Sequence, residues 1–183
     1  MMFHFDFSQY GPAAALLEQA PSMAPGPGNP IPGVKPQLEQ LERRWVGLGA
    51  EAACCSAGLW LRFGYLDRSH TLSQSIDSSD GSYWHGIMHR HEPDYGNAKY
   101  WFRQVGRHPL YPELAGAAAG LATDYPEAES WISEVGDGVW DPFRLVDLCE
   151  AEERPGGLRR FCEALVQLEW EMLFDYCYQA MQD

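Results

Sequence analysis

The sequence predicts an all-α fold of stacked antiparallel helical hairpins, closed by a long C-terminal helix. Apolar residues recur three and four positions apart, as Leu38, Leu41 and Trp45 do, which is the spacing of one helix face. The alternation of apolar and polar residues that indicates strands is almost absent after residue 36. Helix-capping signals support the same fold class, and Asp141 followed by Pro142 is the strongest of them.

The first 36 residues are expected to form an N-terminal arm and a Pro/Gly-rich linker, ahead of one all-α domain at residues 37–183. Residues 1–20 fit either a short strand or a short helix. Residues 21–36 contain too many prolines and glycines for regular structure.

Helices are expected in order along the domain. Pro93 cannot continue the helix before it, and Asp94 is placed to cap the next one. The run ELAGAAAGL has small side chains that suit close helix packing. The predicted segments are residues 37–48, 52–63, 67–76, 82–91, 95–105, 112–121, 126–133, a helix that starts at 142 after the capping Asp141, and 157–181.

Composition excludes several classes of partner. The chain has 26 acidic and 13 basic residues and a formal net charge of -13, which argues against binding nucleic acid or an anionic membrane surface. No apolar run is long enough to span a bilayer, and no basic leader is evident. Five cysteines without a CxxC pair are expected to be small core residues. A cytoplasmic protein is therefore expected.

The segment at residues 83–109 combines small and aromatic residues in an order typical of paired helices. The small positions are Gly86 and Ala98, the turn is Asp94-Tyr95, the aromatic position is Phe102, and Pro109 closes the unit. In these features, over about residues 52–110, the chain resembles a tetratricopeptide or Sel1-like hairpin, with residues 64–69 as a degenerate copy of the turn. The resemblance implies stacked helical hairpins. The same block, with His70, also looks like one in uncharacterised bacterial and fungal proteins. That second resemblance does not indicate any particular activity.

Two imidazoles occupy positions that are apolar in such repeats. His85 and His89 are four residues apart and share one helix face, a spacing that allows both to bind one metal ion. Packing as hydrogen-bonded core histidines is the alternative. His70 is the expected third imidazole of a polar pocket.

Glu169 falls inside the apolar stripe of the last helix, beside Leu165 and Met172. A carboxylate in a core requires a partner, so a salt bridge to Arg90 or Arg103 and a role in the pocket are both open.

Lys99 and Arg103 share a helix face and could bind an anion, although such a row is more often solvated. If Lys99 and Arg103 bind a ligand, we expect a concave surface that is lined by these two residues and by aromatic side chains.

These features favour a helical domain that binds a small ligand or a protein partner. The alternatives are a metal-assisted hydrolase that uses His70, His85, His89 and Glu169, and a purely structural interaction module. Whether the protein is an enzyme stays open, because no nucleophile is recognisable. The aromatic fraction and the hairpin architecture also favour a homodimer. The expected ligand-binding residues are His70, His85, His89, Lys99, Arg103 and Glu169, and a divalent metal would use His85, His89 and Glu169.

Overall fold

The fold is all-α, as the sequence predicts. The computed structural model describes residues 4–133, 138–154 and 156–182, and these residues contain helices, turns and loops without a strand. The elements are a 3-10 segment Phe7–Ala13, α1 Ala14–Leu17, α2 Lys35–Trp45, α3 Ala50–Arg62, α4 Leu66–Gln74, α5 Ser79–His91, α6 Tyr95–Val105, α7 Tyr111–Ala122, a 3-10 turn Pro126–Ala128, α8 Glu129–Ser133, α9 Pro142–Ala151 and α10 Arg159–Gln182.

Local signals set the starts of α6 and α9 where the sequence places them, whereas α5 begins at Ser79, three residues before the predicted start, because the Ser78 hydroxyl accepts a hydrogen bond from the Gly81 N–H. The Asp94 carboxylate accepts a hydrogen bond from the backbone N–H of Asn97, and Asp141 accepts one from that of Phe143. Each bond satisfies a backbone donor that the first helical turn leaves without a partner. The α6 helix has the predicted bounds, and α9 begins at Pro142 as expected.

The α5 helix lies at the centre of the molecule. It packs against α3, α4 and α6, while α10 packs against α3, α7 and α9. Gly86 permits the close approach of α5 and α6, because a Cβ there would lie 3.2 Å from the Phe102 ring. Gly58 does the same for α3, since a Cβ there would lie 2.7 Å from the Trp84 ring. Helices adjacent in sequence therefore pack together, and the antiparallel stacking of hairpins stays a prediction.

The N-terminal segment contributes to the core. Phe5 and Tyr10 are buried and stack on each other, and Phe5 also meets the Trp170 ring edge-on. The Tyr10 hydroxyl donates to Asp175 Oδ1 at 2.9 Å. These contacts tie the arm to α10, and the domain boundary at residue 36 stays a prediction. Residues 7–17 are helical, which decides between the strand and helix alternatives.

All five cysteines are free and buried, so they pack as small core residues in the way the sequence indicates. Within the described ranges, no helix has both the length and the apolar character needed to cross a membrane.

Candidate functional site

The central helix is buried along its last two and a half turns, although several of its residues are polar. Every residue from Tyr83 to His91 is buried. Burying an imidazole or a guanidinium is unfavourable unless it has a partner. His91 has a backbone hydrogen bond with Ala24, and the other buried imidazoles and Arg90 belong to two separate groups, one formed by histidines and one centred on Glu169.

The first group is a cluster of three imidazoles, His70, His85 and His89. One ring nitrogen from each residue lies within 4.8 Å of those of the other two. The two on α5 are closest, with 3.0 Å between His85 Nε2 and His89 Nε2. His70 lies on α4. The buried residues of this helix, Ser69 and Ser73, have small side chains. We call these three residues the histidine cluster.

The surroundings of the histidine cluster hold two of its rings in place. Trp101 stacks on His85 with 4.1 Å between ring centroids and 26° between planes. His89 Nδ1 lies 3.2 Å from Glu92 Oε2, at ion-pair distance. A small rotation of the exposed Glu92 carboxylate would align a hydrogen bond there. Neither Trp101 nor Glu92 was predicted from the sequence as a neighbour of the histidines. The contact with Glu92 could have been predicted, because Glu92 follows His89 by three residues and so lies on the same helix face.

The contacts indicate one set of tautomers. A proton on His89 Nδ1 would face Glu92 and leave His89 Nε2 as an acceptor, so His85 Nε2 would carry the proton between the two rings. His85 Nδ1 then lacks a partner in the described part of the chain. A lone pair of His89 Nε2 therefore faces the proton of His85 Nε2, and a metal ion that bound both nitrogens would require His85 to carry its proton on Nδ1 instead.

Two of the three imidazoles, those of His85 and His89, have lowered pKa values that favour the neutral form near pH 7. Burial lowers the pKa of His85 to about 3, and the neighbouring His89 and His70 add to the shift. Burial also lowers the pKa of His89, although the Glu92 carboxylate opposes the change. Neutral imidazole is the form that binds metal ions.

The second group joins Glu169 to Arg90 and Tyr83, and we call it the carboxylate cluster. Glu169 is fully buried, as its place in the apolar stripe predicts. Its Oε2 accepts from Arg90 Nη2, and its Oε1 accepts from the Tyr83 hydroxyl at 3.1 Å. Burial acts to lower the pKa of Arg90, but the charge of Glu169 raises it overall. Glu169 therefore has the salt bridge that the sequence allowed, and the histidine cluster does not include it.

Lys99 and Arg103 have different surroundings despite their shared helix face. Lys99 forms an ion pair with Asp147 of α9. Arg103 lies over the Phe143 ring, 5.3 Å from its centroid, and lines a groove with Tyr111 that Lys99 does not line. Arg103 and aromatic side chains therefore line a concave surface, as expected, but Lys99 does not contribute to it. Neither residue reaches the histidine cluster.

Comparisons of the chain with protein-family models, with curated proteins and with solved structures found no match. The resemblance to Sel1-like hairpins stays a prediction. The chemistry of the site must therefore be argued from its own residues.

Proposed function

We propose that this protein binds a divalent transition-metal ion through the histidine cluster, with zinc as the reference ion. One observation carries the proposal: three imidazoles from two helices place one ring nitrogen each within 4.8 Å of the other two. Imidazole ligands suit zinc, copper, nickel and iron. Three histidines plus an open position form the arrangement of catalytic rather than structural zinc sites.

The spacing of the nitrogens is close to that of a metal site. Zinc–nitrogen bonds of about 2.0–2.1 Å at a tetrahedral centre place ligand nitrogens about 3.3 Å apart. The 3.0 Å between His85 Nε2 and His89 Nε2 already suits that distance. The widest separation, up to 4.8 Å, must close by about 1.5 Å. Movement of the half-buried His70 side chain is sufficient for this, because rotamer changes displace ring nitrogens by more than that distance.

Each neighbour of the histidine cluster has a function in this proposal. Glu92 would accept the Nδ1 proton of His89 and orient Nε2 toward the ion, as carboxylates do in other histidine–metal sites. Trp101 would fix the plane of His85. The hydrolase alternative is less well supported for Glu169, because its carboxylate pairs with Arg90 and Tyr83 and is not part of the histidine cluster. We therefore propose metal binding and leave the reaction unassigned. The cytoplasmic location stays an expectation from the sequence.

The test uses protein purified without a histidine tag, treated with a chelator, and titrated with Zn²⁺ by calorimetry. We expect one ion per chain, and a visible Co²⁺ spectrum typical of four- or five-coordinate nitrogen ligation. His70→Ala should weaken binding by more than about 100-fold, beyond the 10–100-fold that loss of an outer partner costs. It should leave the helical content unchanged.

His4→Ala is the matched control, because His4 is exposed and lies outside the cluster. Equal affinity of the two variants would exclude the proposed ligands. Absence of stoichiometric binding by the folded parent protein would favour the structural interaction module instead.

A further inference from the structure

A groove beside the C-terminal end of α6 has a chemistry of its own. Its volume is about 840 Å³, within the range of small-molecule sites. It is bounded by the end of α6, the start of α7 and the start of α9. Phe102, Tyr111, Trp140 and Phe143 supply most of its apolar lining, and Arg103 and Arg107 stand exposed at its edge. We call it the aromatic groove.

The two arginines reach the aromatic groove by different routes. Arg103 is on the last turn of α6, with its guanidinium held over the Phe143 ring. The helix ends at Val105, and Gly106 turns the chain with a positive φ of 64°. Arg107 therefore lies beyond the helix and does not share the face of Lys99 and Arg103. It lines the same groove from the loop.

Hydrogen-bond donors without partners outnumber acceptors in the aromatic groove. Neither Arg103 nor Arg107 forms an ion pair with any residue that the structure describes. Tyr111 Oη and Trp140 Nε1 likewise find no hydrogen-bond partner within the described ranges, although Trp140 is only 3% exposed. Buried donors of this kind are rare in native proteins and need an explanation.

Asp141 and His108 also line the aromatic groove, and both form hydrogen bonds within the protein. Asp141, the one acidic residue among those that line it, caps α9 by accepting from the Phe143 N–H. His108 Nε2 bonds to Asp80 Oδ1 at 2.7 Å, and His108 Nδ1 accepts from the Leu110 N–H. A bound molecule would thus meet two exposed basic side chains and one acidic side chain, a local excess of positive charge in a chain whose formal net charge is -13. Those properties fit an anion and oppose a cation.

We propose that the aromatic groove binds a small carboxylate with an aromatic or aliphatic body. Arg103 and Arg107 hold the carboxylate, because guanidinium and carboxylate groups match in charge and in the geometry of paired hydrogen bonds. The body of the ligand packs between Trp140, Tyr111 and Phe143. A single-headed anion fits better than a polyphosphate, since the lining beyond the two arginines is apolar. This site is separate from the histidine cluster and does not depend on metal binding.

The probe is 2-naphthoate, and its matched neutral control is 2-naphthamide, which has the same body without the charge. Calorimetry and saturation-transfer NMR are run on chelator-treated protein, so that a carboxylate cannot bind through a metal ion. We expect 2-naphthoate to saturate one site at about 1 mM or below. The amide should bind at least about tenfold more weakly, the loss expected for hydrogen bonds to a charged group.

Arg103→Gln and Arg107→Gln should each weaken 2-naphthoate binding by about tenfold or more and leave 2-naphthamide binding unchanged. Both residues are exposed, so neither change is expected to disturb folding. Arg44→Gln on α2 removes an exposed arginine outside the groove and should have no effect. Equal binding of acid and amide, or equal affinity in the Arg103, Arg107 and Arg44 variants, would overturn the proposal. So would the absence of 2-naphthoate binding by the parent protein. Failure of metal binding at the histidine cluster would leave these results unchanged.

Discussion

The histidine cluster and the carboxylate cluster share α5 but differ in how they use their hydrogen-bonding capacity. In the carboxylate cluster, opposite charges meet and both Glu169 oxygens accept a hydrogen bond, and Arg90 Nη1 is the one side-chain nitrogen of that cluster without a partner among the described residues. In the histidine cluster, three imidazole rings place nitrogens close to one another, and neither His85 Nδ1 nor His89 Nδ1 forms a hydrogen bond among the described residues. A buried polar group that is satisfied internally explains its own presence. One with unused lone pairs calls for a ligand.

This comparison assigns stability to one cluster and binding to the other, and mutations can separate the two. The largest effect should come from Glu169→Ala, which leaves the Arg90 charge buried without its partner. We expect a loss of about 3–5 kcal/mol in the free energy of unfolding, measured with urea. Zinc affinity of the variant that remains folded should stay within a few-fold of the parent.

Glu163→Ala is the control on the same helix, because Glu163 pairs with Arg159 near the surface. That pair should contribute no more than about 1 kcal/mol. If Glu169→Ala costs as little as Glu163→Ala, the burial argument fails. If it abolishes zinc binding in folded protein, the two clusters are one site.

The second prediction concerns Tyr83, whose hydroxyl donates to Glu169 Oε1 at 3.1 Å. Tyr83→Phe keeps the ring that meets Phe102 edge-on and removes only this donor. We expect a loss of about 1.5–3 kcal/mol in the free energy of unfolding, the range for hydrogen bonds to charged groups. Tyr100→Phe, at an exposed site, should change the same quantity by less than about 0.5 kcal/mol. A smaller loss for Tyr83→Phe than for Tyr100→Phe would contradict the assignment.

Local signals made much of the helical fold predictable. The bounds of α6 follow from Pro93 and Asp94 before it and Gly106 after it, all of which act within a few residues. The packing of the N-terminal arm was not predictable, because Phe5 and Tyr10 lie in a segment too short to show a period. Their partners on α10 are more than 160 residues away in sequence.

The candidate site was predictable in part for the same reason. The four-residue spacing of His85 and His89 and the burial of Glu169 both follow from helix geometry. Helix geometry does not show whether Glu169 meets the two histidines. That contact depends on the side of α5 that α10 approaches. Arg90 follows His89 by one residue and therefore projects about 100° around the helix from it. That rotation separates Glu169 from the imidazoles, and only tertiary packing determines it.

The smallest effect we predict sharpens the binding side of the comparison. Glu92 is half-exposed and near His89 Nδ1, so it should position a ligand while adding little to stability. Glu92→Gln should weaken zinc binding by about 10–100-fold, or about 1.4–2.7 kcal/mol, and change the free energy of unfolding by less than about 0.5 kcal/mol. Glu113→Gln on α7 makes the same change in net charge at an exposed position and should leave zinc affinity unaltered. The Co²⁺ spectrum should shift in the Glu92 variant alone, because the orientation of His89 changes there. Equal effects of the two variants would show that Glu92 acts only through the overall negative charge of the protein, and the positioning contact would then be rejected.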